Sequence, residues 1–245
     1  MIPLKVHFIW LGNNKLDKQS LICINSAKNV LNNYKITIWN DKSLDLERIS
    51  KQNRFLRECV KRKLWAFVSD YLRLYVLYKY GGIYLDTDVQ VIKPFSNEML
   101  STSFFIGKEA GNYIGTGVIG AEKGNAVIKK LLDFYNDKIW SVKYYNNPII
   151  FKNVLGNLNT QQINMKIYPQ VYFSPYSPNS NDIFVNITDK TYCIHWYNAN
   201  WGMSRAGYVF LQTKHYKNHL LKSFQILKKN IGYFRKFVLT NKRNQ

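Results

Sequence analysis

One stretch constrains this chain more than any other: residues 65–94, WAFVSDYLRLYVLYKYGGIYLDTDVQVIKP, where a nearly continuous apolar and aromatic run is interrupted by Asp70, Arg73, Gly81, Gly82, Asp86 and Asp88. A run this apolar belongs in an interior, and charges inside it need partners or a ligand. Nothing from Arg62 to Tyr80 breaks a helix, and Gly81 stands where a helix-ending glycine takes the left-handed conformation. The sequence therefore predicts a helix over 62–80, a glycine stop, a short buried strand at Ile83–Leu85 and a second β-prone run at Val89–Ile92, closed by Pro94. Asp70 and Arg73, three apart, share a helical face with Ala66 and Leu77. Asp86 and Asp88, two apart, share one face of a regular strand with Thr87 opposite. Two carboxylates so crowded repel unless a cation or a proton intervenes. A hard divalent ion, Mg²⁺ or Mn²⁺, held by one or two carboxylates plus substrate phosphates meets that need. The purely structural alternative makes Asp70 and Arg73 an ion pair tying helix to sheet.

The flanks supply a frame for this segment. Lys5–Trp10 reads as a first strand, Ser20–Leu31 as a helix and Lys35–Trp39 as a second strand, a β-α-β opening that implies parallel pairing. Ligands gather beyond the carboxyl ends of such strands, where Trp10 and Trp39 both sit; Trp10 is the candidate for stacking on a flat ring and Trp39 for core packing. Residues 47–63 read as one or two short polar helices. Further on come a strand at Phe104–Gly107, a glycine-rich apolar segment at Tyr113–Ala121, helices over Asn125–Tyr135 and Pro148–Leu155, and an aromatic, proline-rich loop at Tyr168–Pro178. The segment Tyr192–Trp201 reads as a late strand running into a polar-aromatic turn. Glycines in the Tyr113–Ala121 strand permit close approach to a ligand or mark a bulge.

At 245 residues and 46% apolar content the chain is long enough for one sizeable core. Cys23, Cys59 and Cys193 are scattered and odd in number, which fits reduced core thiols rather than a disulfide framework or a zinc site. No window approaches a membrane span and the start carries no signal-peptide cleavage pattern, so a soluble or peripheral cytoplasmic protein is expected. The net charge of +20 implies attraction to polyanions: nucleic acid, anionic membrane or phosphorylated ligands. No acidic residue follows Asp189, whereas lysines and arginines continue to Arg243. In the same tail Leu220, Phe224, Leu227, Ile231, Phe234 and Val238 recur at four- and three-residue steps, one apolar helical stripe beside a basic face. Such a helix either lies on an anionic membrane or packs its stripe on its own domain.

Three segments together carry a family resemblance: IPLKVHFIWLG at the start, SDYLRLYVLYKYGGIYLDTDVQVIKP in the middle and HWYNANW near the end. The chain resembles, over roughly residues 1–205, the DXD-motif glycosyltransferases of fungi and bacteria, the family 32 type that includes mannosyltransferases and capsular-polysaccharide sugar transferases. It is more distantly similar to the sugar-transferring domain of large clostridial toxins. The resemblance implies an α/β fold of GT-A type, a Rossmann-like mixed sheet flanked by helices. It divides the chain into a catalytic domain over 1–205 and a basic amphipathic helical tail over 206–245. It also implies a nucleotide-sugar donor, UDP-sugar ahead of GDP-sugar and UDP-galactose among them, a Mn²⁺ or Mg²⁺ ion, and transfer with retention. By position, Asp88 is similar to the direct metal ligand and Asp86 to the aspartate that binds ribose and supports the metal. Asp70 and Arg73 look like the residues holding the donor sugar and its diphosphate side. Trp10 resembles the base-stacking aromatic, His195 the late histidine that reaches metal or diphosphate, and Trp201 the aromatic closing the site. The family often has Ser before that last Trp, where this chain has Asn200.

Rival classes are weaker on the residues. A haloacid-dehalogenase-like phosphatase also follows an apolar strand with D-x-D-x-V, but on an opening strand and with a later acidic cluster. A glycoside hydrolase needs two carboxylates on opposite sides of a glycosidic bond. A nucleic-acid binder explains +20 but not acids in a buried run, so no nucleic-acid partner is expected. The expected protein is a glycosyltransferase at the inner face of a bacterial membrane, building capsule or O-antigen polysaccharide on a lipid-linked or oligosaccharide acceptor.

Overall fold

The computed structural model describes residues 1–12, 15–158, 163–176, 185–198 and 202–233. The opening unit is β1 (Lys5–Ile9), α1 (Lys18–Val30, capped by the Asp17 side chain) and β2 (Lys35–Trp39). The two strands pair in parallel, Lys5 opposite Lys35. After α2 (Leu46–Gln52) and α3 (Arg54–Lys61) comes α4 (Trp65–Tyr80), the expected central helix. It starts three residues later than the sequence predicts. Lys63 takes a left-handed conformation (φ 54°) and breaks the run, turning Leu64 into the core beneath Gly207, where a Cβ would lie 2.3 Å from Leu64 Cδ2. Arg62, Lys63 and Leu64 are all good helix formers, and the packing of Leu64 overrides them.

Gly81 and Gly82 end α4 because no other residue fits. Both have positive φ, and a Cβ on Gly82 would sit 2.6 Å from the Lys5 carbonyl oxygen. The turn is locked from β1: the buried His7 ring lies 2.8 Å from the Gly81 carbonyl through Nε2, while its Nδ1 accepts from Trp39 Nε1–H at 3.1 Å. That arrangement makes Nε2 the donor, and burial holds the imidazole below its usual value.

The chain continues through β3 (Gly82–Leu85), β4 (Val89–Val91), α5 (Asn97–Ser101), β5 (Phe104–Lys108), β6 (Ile114–Ala121), α6 (Ala126–Asn136) and α7 (Asn147–Gly156). It then forms β7 (Met165–Tyr168), β8 (Cys193–His195), α8 (Arg205–Thr213) and α9 (His219–Tyr233). β7 falls partly in a segment that the sequence reads as loop; half-exposed and short, it has little apolar alternation to betray it. Six strands make one mixed sheet in the order β2-β1-β3-β6-β5-β7, with β6 antiparallel to both neighbours, and β4 pairs with β8 in a separate ribbon. This is the single-domain α/β architecture expected, a mixed sheet flanked by helices. Two cores lie on its faces, one centred on α4, α6 and α7 and the other beneath α1 and β4. The three cysteines are buried free thiols, as expected of core residues.

The C-terminal helices differ from each other. In α8, Leu211 is fully buried, and the following Lys214 donates through Nζ to the carbonyls of Ile139 and Val142, each at 2.6 Å, and of Tyr144 at 3.1 Å. In α9, the face toward the body is largely polar: Asn230 Oδ1 accepts from Arg205 Nε at 2.7 Å. Its apolar stripe points outward, Leu220 84% exposed, Phe224 and Leu227 61% and Ile231 51%. The stripe is not packed on its own domain. Phe234 and Val238, which continue it in the sequence, lie outside the described residues. Among the described residues no helix is long and apolar enough to cross a membrane.

Candidate active site

β3 and β4 are too short to carry the acids between them as a strand. Asp86, Thr87 and Asp88 form a turn that passes the chain from the main sheet to the β4–β8 ribbon, so the regular alternation expected of the two aspartates does not hold. They converge by a different route. The Asp86 N–H donates to the Gly117 carbonyl at 2.8 Å, continuing the β3–β6 ladder, and the register Val89 opposite His195 sets the histidine beside Asp88. Ligand atoms of Asp86, Asp88 and His195 all lie within 4.8 Å of one another.

Beneath this turn Arg73 occupies the centre of a buried network. Its Nη2 lies 3.0 Å from Asp70 Oδ1 and 3.2 Å from Asp86 Oδ1, and Nη1 donates to the Thr116 carbonyl at 2.7 Å. The guanidinium also lies over the Tyr84 ring, 4.7 Å from its centroid, and Tyr84 Oη donates to Asp86 Oδ1 at 2.6 Å. The helix-to-sheet ion pair therefore exists and forms part of the site. The Thr116 carbonyl is available because the β5–β6 register jumps: Ile106 faces Ile119, but Gly107 faces Gly115 rather than Val118. Such an irregularity takes a carbonyl off the ladder and re-aims it.

The electrostatics follow from burial. It pushes the Asp70 carboxyl up to about 6, with Arg73 pulling down, Asp86 pushing up and Asn147, whose Nδ2 donates to Asp70 Oδ1 at 2.9 Å, pulling down. Burial opposes the Arg73 charge, and Asp86, Tyr84 and Asp70 outweigh it. His195 is likewise penalised by burial, but Asp88 and Glu109, each 3.4 Å from one ring nitrogen, raise its imidazolium to about 10. Asp88 Oδ2 accepts from the Asn198 N–H at 2.8 Å, and its carboxyl is held below the usual range by the histidine and this amide, against burial.

These residues line one cavity of about 280 Å³, with Trp10 at the end of β1 on its wall and Ala66, Ser69 and Asp70 of α4 on its floor. Trp10, Asp70, Arg73, Asp86, Asp88 and His195 all line it; Trp201 and Asn200 lie outside the described residues. Trp39 stands apart from this cavity and stacks on Tyr80 at 5.2 Å. Sequence reading missed Tyr84, Thr116, Asn147, Asn198 and Glu109. Only the glycines of β6 signalled one of the neighbours: a Cβ on Gly117 would lie 3.1 Å from His195 Cε1 and 3.2 Å from Asp86 Oδ2.

The site is thus an acidic turn leaving a sheet strand, with an arginine beneath it and a histidine brought alongside. Residues 17–105 match the family described as the glycosyltransferase sugar-binding region containing a DXD motif. The chain is 30% identical over 160 residues to subversion of eukaryotic traffic protein A of Legionella pneumophila, covering 54% of this chain and 24% of that protein. It is 23% identical to inositol phosphoceramide mannosyltransferase 3 of Schizosaccharomyces pombe, covering 88% of this chain and 60% of that one. The chain thus spans less than two thirds of either relative. The fold is shared with the solved PaToxG glycosyltransferase, at a TM-score of 0.52 and 22% identity over 66% of this chain and 70% of that one.

Proposed function

We propose that this chain transfers a sugar, with retention at the anomeric carbon, from a nucleotide-sugar to a saccharide acceptor, aided by Mn²⁺ or Mg²⁺. The observation that carries the reading is the convergence of Asp86, Asp88 and His195 above the Asp70–Arg73 pair in one cavity. Two hard carboxylates and one imidazole within 4.8 Å are a donor set that suits Mn²⁺ or Mg²⁺, completed by diphosphate oxygens. Bound there, the ion would serve as a Lewis acid toward the diphosphate leaving group.

The protein's own groups divide the remaining work. Asp88, at the ribbon end, is the direct ligand, and Asp86, fixed by Tyr84 and Arg73, supports it and faces the ribose. Trp10 offers its ring to the base. Asp70, engaged by Arg73 and Asn147, presents an acceptor to the donor-sugar hydroxyls, and the Arg73 charge stabilises the negative charge that develops as the glycosidic bond breaks. A panel of UDP- and GDP-sugars with Mn²⁺ tests the reading: hydrolysis of at least one, UDP-galactose among the first tried, supports it, and no turnover of any ends it. Gly117→Ala should lower that turnover on the order of tenfold, since its Cβ displaces His195 and Asp86 by a few tenths of an ångström. Its melting temperature should stay near wild type, because Gly117 does not hold a positive φ.

The acceptor is proposed to be lipid-linked or a free oligosaccharide in capsule or O-antigen synthesis, with the enzyme on the inner face of a bacterial membrane. The outward stripe of α9 supports this, together with the run of basic residues after Asp189. Phe224→Glu combined with Leu227→Glu should lower sedimentation with phosphatidylglycerol vesicles at least about a hundredfold, as two large apolar side chains lose roughly 1.5–3 kcal/mol of burial each. Both side chains are exposed, so folding is not at stake. Equal partitioning of variant and wild type would end the membrane reading.

A further inference from the structure

The histidine of the cavity has two ring nitrogens, and the proposed metal site uses one. Nε2 of His195 looks toward Asp88 at 3.4 Å. Nδ1 is buried without an aligned hydrogen-bond partner among the described residues, and the carboxylate oxygen Oε1 of Glu109 faces it at 3.4 Å. Glu109 directly follows β5 and is held by a closed turn: its N–H donates to the Tyr113 carbonyl at 2.8 Å, and its own carbonyl accepts from the Asn112 N–H at 3.1 Å. The floor under it is cleared. A Cβ on Gly115 would lie 2.6 Å from Glu109 Cγ and 2.9 Å from Oε1, as one on Gly117, two residues along the same strand, would press on His195. Glycines weaken a strand interior, so two at alternate positions beneath these two side chains mark a place where room matters more than strand stability.

A neutral imidazole ligates through one nitrogen, and the hydrogen bond made by the other decides which. We propose that Glu109 is a positioning residue for the metal site: its carboxylate accepts from His195 Nδ1–H and so fixes the tautomer whose Nε2 lone pair faces Asp88. The inference rests on the metal reading above. Nothing in the sequence links the two residues, which lie 86 positions apart; the β4–β8 pairing and the β5–β6 turn bring them together.

The test is Mn²⁺ affinity of the chain without nucleotide, followed by electron paramagnetic resonance of the free ion. Glu109→Ala should weaken binding about 10–100-fold, the range for removing a carboxylate behind a ligating histidine. Glu109→Gln should fall between alanine and wild type, because its amide oxygen still accepts from Nδ1–H. Gly115→Ala, which keeps the carboxylate but crowds it away, should weaken binding too and serves as an independent variant if Glu109→Ala folds poorly. In a His195→Ala background, Glu109→Ala should change affinity less than about twofold, since the coupling of two contacting residues vanishes when one is gone. Unchanged affinity in Glu109→Ala, or equal losses in both backgrounds, overturns the role while leaving the metal site standing. Failure of the wild-type chain to bind Mn²⁺ removes both.

Discussion

Asp88→Ala is expected to lower Mn²⁺-dependent hydrolysis of the preferred nucleotide-sugar by about three orders of magnitude, because a Lewis-acidic metal contributes several kcal/mol of charge stabilisation and each 1.36 kcal/mol is a factor of ten. The size of the effect follows from where Asp88 sits. Asp86 is already committed to Tyr84 and Arg73, whereas among the described residues the Asp88 carboxylate meets only His195 and the Asn198 amide, so it is the carboxylate with capacity left for a cation. Asp88→Asn is the sharper control: it keeps the shape and an oxygen but removes the charge, and should lose nearly as much. Added Mn²⁺ should recover part of the activity of Asn but not of Ala. Undiminished turnover in Asp88→Ala would sink the assignment of this turn as the metal-holding element.

How much of this site the sequence discloses depends on the range of the interactions involved. The helix, the Gly81-Gly82 stop and the strand Ile83–Leu85 are legible because each is decided within a few residues, by propensity and by φ values that glycine tolerates. The parallel opening is legible for the same reason, since a β-α-β run restricts its own topology. The acidic pair is legible as a D-x-D spacing, but it sits in a turn rather than on one face of a strand. His195 joins the pair because the β4–β8 ribbon sets Gln90 opposite Ile194 across more than a hundred residues, which no local periodicity reports. Asn147 and Thr116 reach the Asp70–Arg73 pair from α7 and an irregular strand, and neither carries a spacing that separates it from an ordinary helix cap or strand residue. In α9 the stripe is plain in the sequence, but the direction it faces is not. That depends on a polar contact, Arg205 to Asn230, made by a different helix.

Arg73→Met should destabilise the chain by roughly 3–5 kcal/mol in urea unfolding at pH 8, the cost of leaving buried charges without their partner. Arg73 is 5% exposed, and its loss would leave Asp70 and Asp86 sharing a pocket with no cation between them. Lysine is not expected to rescue, because a single ammonium cannot reach two carboxylates and the Thr116 carbonyl from the fork positions the guanidinium uses. The penalty has a definite pH dependence. Burial already holds the Asp70 carboxyl at about 6 against an ordinary 3.8, and Arg73 is the largest influence pulling it down, so removing Arg73 raises it further. A carboxyl whose folded-state value lies above its unfolded value favours folding fully below the unfolded value, and loses that advantage as pH rises through the folded one. The variant's deficit relative to wild type should therefore be clearly smaller at pH 5, where Asp70 takes up a proton in place of its lost partner, than at pH 8. Equal deficits at the two pH values would mean that the guanidinium is not what holds the Asp70 carboxyl down.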